Sequence, residues 1–200
     1  MTPTATPVTY GLDASIPRFS VARYQRMIET GILTPEDKVE LLENYVVLKM
    51  PRNPPHDGTL DLVKAAIPPK TPPGWLPRVQ QTVVLSDSQP EPDFALARGT
   101  PRTYLTRHPG PADLGLVVEV ADSSLLRDQR DKTRIYARGG IPYYWIVNLV
   151  DRRIEVYSQP SGPTAVPAYA SFQLYQPGDA VPLVLDGNTV GTIPVDELLP

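Results

Sequence analysis

The sequence predicts an α/β fold, of the α+β kind with a mixed sheet, on three observations. Residues 114–121, LGLVVEVA, are a near-continuous apolar run broken by one acid, the pattern of a central strand covered on both faces. Residues 122–140 follow as a helix, with Asp122 or Ser123 as its cap and Gly139 and Gly140 as its stop. A second apolar strand, IPYYWIVNLV, comes next. Strand, helix, strand in that order is a β-α-β unit that puts 114–121 and 142–149 in one sheet, and hairpins on either side make the sheet mixed.

The remaining elements follow from the N-terminus. Residues 1–17 carry Thr, Pro and Ala without periodicity and read as a flexible arm ahead of a single domain over 18–200. Ser20 caps a helix in VARYQRMIETG, where Val21, Tyr24, Met27 and Ile28 fall at helical spacing and Gly31 is the stop. Thr34 and Pro35 open a short helix in TPEDK. KVELLEN leads from helix to strand, Glu43 and Asn44 make a turn, and 45–50 is a strand. PRNPPHD reads as a loop, DGTLDLVKAAI as a short helix and PPKTPPGWLP as a further loop. VQQTVVL and PEPDFALA are predicted strands joined by the turn SDSQ, and 98–113 is a somewhat basic loop. RRIEVYSQ pairs with 142–149 in a hairpin over Val150 and Asp151, and the tail holds short strands such as SFQLYQ and AVPLVL.

Bulk properties narrow the function. With 200 residues, 41% apolar and 20% charged, the chain can bury a sizeable core. The absence of cysteine excludes disulfides, thiolate zinc sites and cysteine nucleophiles, and agrees with a reducing compartment; cytoplasm is the expectation. No apolar run approaches the roughly 20 residues that span a bilayer, and MTPTATPVTYG is no signal peptide. A net charge of −3 argues against a dedicated nucleic-acid binder unless a local basic patch exists. Nucleotide-cradling glycine loops are missing, and two histidines cannot build a histidine-rich metal site.

Three residues carry the chemistry. Glu119 sits in the middle of a buried strand, where an ionised carboxylate must be paired, protonated or bound to a metal. Strand alternation puts it on one face with Val117 and the small Ala121. An ion pair with an arginine is the bland alternative. Asp93 follows Pro92 at a strand start, on a face of small residues with Ala95 and Ala97, where it can reach a cleft or simply cap a turn. Lys132 lies on the helix after the Glu119 strand, among Arg127, Arg130, Arg134 and Arg138. That helix is either a solvated face, with Asp128 and Lys132 as an i, i+4 pair, or the source of one cation that turns back to the carboxylates. Tyr143, Tyr144 and Trp145 suggest core and a dimer face rather than base stacking.

Asp93, then Glu119 26 residues later (119 − 93), then a lysine-bearing helix form an ordered set. Together with VELLENYVV, His56, EPDFALA, LGLVVEVADSS, RDQRDKTRIYARGGIPYYWIV and RRIEVY, it resembles the PD-(D/E)XK nuclease superfamily, and within it the Uma-type restriction endonuclease family. The likeness spans roughly residues 18–160. It implies a restriction-endonuclease-like mixed sheet flanked by helices and a metal-dependent endonuclease that hydrolyses DNA, with a homodimer as the expected assembly. It implies Asp93, Glu119 and the backbone carbonyl of Val120 as ligands of Mg²⁺ or Mn²⁺. Lys132 would activate water or hold the phosphate, and Glu40 would complete the metal shell. His56, Arg127 and Arg130 would contact substrate. Two departures stand out: Ala121 replaces the in-strand lysine, and Asn148 stands where an acid is expected. The missing lysine and the acidic pI of about 5.4 motivate the alternative of an inactive nuclease-fold binding module.

Overall fold

The computed structural model describes residues 16–200, so the arm predicted over 1–17 lies, save its last two residues, outside the described part. Helix α1 (Val21–Glu29) begins at Ser20, whose hydroxyl accepts from Arg23 N at 3.2 Å. Strands β1 (Val39–Leu42) and β2 (Tyr45–Leu48) form an antiparallel hairpin over Glu43 and Asn44. Both turn residues have positive φ, 49° and 68°, as a two-residue hairpin turn demands. KVELLEN is therefore strand and turn rather than helix, and Glu40 sits on a strand.

Helix α2 (Pro54–Ala66) begins inside the stretch predicted as loop. The Asn53 side chain caps it, accepting from His56 N at 3.1 Å, and Pro54 occupies the first turn, where its missing N–H costs nothing. His56 is thus held by a helix. Strand β3 (Trp75–Val79) also corrects the prediction of a strand over VQQTVVL. Pro77 disguised it in the sequence, and is tolerated because β3 is an edge strand. Gln80, at φ 49°, turns the chain out of the sheet; Val83 and Leu85 beyond it are buried by packing rather than by pairing.

Strand β4 (Phe94–Arg98) begins just after Asp93, and β5 (Leu114–Ala121) is the strand expected. The following helix is broken into α3 (Leu125–Arg127), a π-helical turn over Asp128–Lys132 and α4 (Thr133–Gly139). It stops at Gly140, φ 74°. Strands β6 (Tyr143–Asn148), β7 (Arg153–Pro160) and β8 (Tyr169–Tyr175) complete a six-stranded sheet of order β3-β4-β5-β6-β7-β8. Only β5 and β6 run parallel, as the β-α-β unit requires. Strands β9 (Ala180–Leu185) and β10 (Asn188–Pro194) pair as a separate hairpin.

Both faces of the sheet are covered, so every residue of β5 is buried. One face packs Phe94, Leu116, Val118 and Val120 against Leu60 and Val63 of α2 and Val181 and Leu183 of β9. The other packs Ala95, Val117, Ala121 and Ile146 against Ile135 and Tyr136 of α4 and against Val83 and Leu85. These are the two faces that alternation predicted. Gly115 interrupts β5 because the Trp75 ring lies where a Cβ would stand, 2.6 Å away. Tyr144, Trp145, Ile146 and Val147 are at most 1% exposed, which corrects the dimer face predicted on 142–149: these side chains fill the chain's own core. Among the described residues no helix is long and apolar enough to cross a membrane.

Candidate active site

The break between Gln80 and Phe94 shapes the site. Strand β4 starts at Phe94, opposite Val118, so β5 outruns its neighbour from Glu119 onward. The Asp93 side chain takes over the exposed edge: Val120 N donates to Asp93 Oδ2 at 2.9 Å. The N–H and C=O of one strand residue leave by the same edge, so the Val120 carbonyl faces the same cleft, whose wall Val120 helps to form. Asp93 N lies 3.4 Å from Glu119 Oε2, which brings the two distant acids of the sequence together.

Each acid has its own partners. His56 Nε2 donates to Asp93 Oδ2 at 3.1 Å, and Gln80 Nε2 to Oδ1 at 3.3 Å. Burial opposes ionisation of Asp93, but His56, Lys132 and the Val120 N–H outweigh it and hold the carboxyl below its ordinary range. Glu119 Oε1 accepts from Lys132 Nζ at 2.8 Å and from the Tyr136 hydroxyl at 2.7 Å. The arginine partner considered for Glu119 is thus a lysine. Burial, seconded by Asp93 and Asp128, pushes Glu119 up to about 8 despite Lys132. Burial also works against the Lys132 ammonium, yet Glu119, Glu40, Asp128 and Asp93 around it hold its proton well above the usual lysine range.

The π turn supplies Lys132 and one residue that sequence reasoning missed. Asp128 is 1% exposed, accepts from Ser124 Oγ at 2.6 Å and stands 3.8 Å from Lys132 Nζ, while its Oδ1 has no hydrogen-bond partner. Asp128 and Lys132 are therefore a buried pair in the cleft, not the solvated i, i+4 pair of a surface helix. Tyr136 was missed as well. Asp128, Lys132 and Tyr136 stand four apart, which puts their side chains on one helix face, so that placing Lys132 in the cleft places the other two beside it.

The cleft encloses about 450 Å³. Glu40, Asp93, Glu119 and Asp128 are buried in its floor, and Lys38, Lys49, Arg52 and Arg127 stand on its walls and rim. The local basic patch thus lies around the cleft rather than along one helix face. Arg127 reaches it while donating to Leu48 O at 2.9 Å. Arg130 does not: it is exposed and outside the cleft lining. Arg134 and Arg138 instead bind Glu43 and Asp87, strapping the β1–β2 hairpin to α4. Gln80 lines the cleft, and Gln81 lines a neighbouring groove. Asn148 is structural: it is buried and donates to Glu155 Oε1 at 2.8 Å.

A divalent cation fits this floor by charge and by donor type. Four carboxylates share it with one ammonium and one histidine. Asp93 Oδ1 and Glu119 Oε2 keep lone pairs beyond the long contacts they accept. Hard oxygen donors completed by water are what Mg²⁺ takes. Among the described residues no three His, Cys, Asp or Glu side chains gather as a ready-made metal cage.

Comparisons with known proteins bear on the family and the fold. A search of curated proteins finds no match. A nuclease of a domain family of unknown function, described as "putative" and solved by crystallography from Anabaena variabilis, shares the fold with a TM-score of 0.64 at 12% identity. The match covers 90% of this chain and 97% of that one. The sequence profile of the Uma2 family, described as "Putative restriction endonuclease", matches residues 21–190. Because that match spans most of the 200 residues, this chain belongs to the Uma2 family.

Proposed function

We propose that the cleft is the active centre of a metal-dependent endonuclease that hydrolyses DNA phosphodiester bonds. One observation carries the proposal: Asp93 and Glu119 meet at an open strand edge, with Lys132 on Glu119 and a basic rim above. In this reading Asp93, Glu119 and the Val120 carbonyl hold Mg²⁺ or Mn²⁺, with Glu40 behind them. The ion would lower the pKa of a bound water and offset charge on the scissile phosphate. His56 holds Asp93 in its rotamer. Tyr136 is kept protonated chiefly by burial, and donates to Glu119 so that the carboxyl group keeps one orientation. Lys132, its charge secured by four acids, contacts the phosphate or hands a proton to the departing oxygen. Arg127 guides the strand across the rim.

The test is cleavage of supercoiled DNA with Mg²⁺ or Mn²⁺ by the wild type and by an Asp93→Ala/Glu119→Ala variant. Loss of activity by at least about 10³-fold is expected, because residues that act as a unit fail together. Equal background cleavage by both proteins removes the enzyme. A second reading, a binding module that kept the fold without the chemistry, draws on Ala121 in place of the strand lysine. For that module, calorimetry would register no divalent-ion binding. A homodimer, expected from the resemblance, has to use a face other than β6, and sedimentation of the wild-type chain measures it.

A further inference from the structure

A second groove, of about 580 Å³, adjoins the cleft and shares Gln80 and Glu91 with it. Arg78 of β3 lines it. Arg78 is 8% exposed, its Nε has no hydrogen-bond partner, and no carboxylate pairs with it among the described residues. Its one charge-compatible neighbour is the Tyr104 ring, 5.0 Å from the guanidinium. A buried cation without a counter-ion is costly, and burial draws the Arg78 pKa down. The neighbouring arginines are settled differently. Arg98 pairs with Asp186, and Arg107 donates to both Asp113 oxygens at 2.5 and 2.9 Å. Glu91, the carboxylate in the groove wall, is taken by Lys49 at 2.6 Å. Gln81, Thr82 and His108 add neutral donors; burial and the Arg78 charge lower the His108 pKa, so it lines the groove uncharged. The groove therefore offers a largely buried guanidinium, with no carboxylate paired to it among the described residues, and neutral donors.

We propose that the Arg78 groove seats a backbone phosphate of a DNA strand, one that flanks the phosphodiester lying in the cleft. The fork of a guanidinium matches phosphate oxygens in pairs, and Gln80 joins this seat to Asp93 in the cleft. The word "flanks" rests on the nuclease reading, whereas the phosphate seat itself does not.

The test is binding of a labelled DNA duplex without divalent ions, over a range of salt, to the wild type, Arg78→Gln and Arg78→Lys. Arg78→Gln should bind about tenfold more weakly, the effect of one charged hydrogen-bonding contact. The slope of log affinity against log salt should fall by about one unit. Arg78→Lys keeps the charge without the fork and should fall between. If Arg78→Gln fails to fold, Arg78→Lys carries the test, and its melting temperature should rise less in inorganic phosphate than the wild type's. Unchanged affinity and slope in the folded variants overturn the proposal. Cleavage by the wild type with Arg78 irrelevant to binding would leave the nuclease and remove the seat; Arg78-dependent binding without cleavage would do the reverse.

Discussion

Glu119 and Glu155 lie on one row of the sheet, each opposite Ile146 on the strand between them. Both are nearly sealed from solvent, at 3% and 0% exposure. Their surroundings are opposite. Glu155 accepts from Asn148, Arg153, Gln129 and Tyr157 at 2.8 to 3.1 Å, and those donors overcome burial to hold its pKa below the ordinary 4.5. Glu119 is held by two side-chain donors and shares its floor with three other acids, so burial prevails. Burial alone does not mark a working carboxylate. What sets Glu119 apart, in the proposed site, is an excess of like charge that the chain itself leaves uncompensated.

Four measurements break or sharpen that contrast. The largest effect belongs to Glu155→Gln, which should cost about 3 kcal/mol in chemical denaturation, because four buried or half-buried donors lose a charged acceptor while Arg153 keeps Asp151. Because the folded pKa of Glu155 is lowered, this stabilisation is fully present above pH 4.5 and fades as the pH falls from there through the lowered folded value. A cost that grew toward low pH would contradict the assignment. Next, Mn²⁺ at a hundredfold over its Kd should stabilise the wild type by about 2.7 kcal/mol in calorimetry. Asp93→Asn should lose most of that gain, and equal gains in both proteins would move the ion elsewhere. Third, Arg134→Gln cuts the strap to Glu43 and should cost roughly 1 kcal/mol, because the pair is partly solvated. The smallest effect falls on Glu119→Gln without metal: less than about 1 kcal/mol of either sign, since Lys132 keeps Asp128 and Glu40 around it. A loss matching that of Glu155→Gln would make the two carboxylates equals after all.

The legible parts of the sequence were those where one residue type dominates its own neighbourhood. LGLVVEVA and AVPLVL were readable because uninterrupted apolar residues leave a buried strand little alternative. Glu119 was conspicuous by contrast with its flanks. Strand β3 was obscured because Val79, Val83 and Leu85 mimic a strand's alternation, while Pro77 conceals the true one. KVELLEN reads as a passage from helix to strand because helix and strand share apolar pairs at short range; pairing with 45–48 across the Glu43–Asn44 turn makes VELL a strand. Asp128 went unassigned as a cleft residue for a different reason. A charged pair four apart describes a surface helix and a buried one equally well, and packing against β5 decides between them.

The π turn before α4 has a consequence for how such proteins change over generations. There the Thr133 N–H reaches back five residues to Asp128 O, one more than in a regular helix. A surplus residue in a helix swings everything on one side of it by about 100° relative to the other. A single inserted codon can therefore re-aim an ammonium at a neighbouring strand while the sheet itself stays untouched. In this chain, deleting one residue from 128–132 would turn Lys132 away from Glu119, and the strand, with alanine at 121, holds no lysine to replace it.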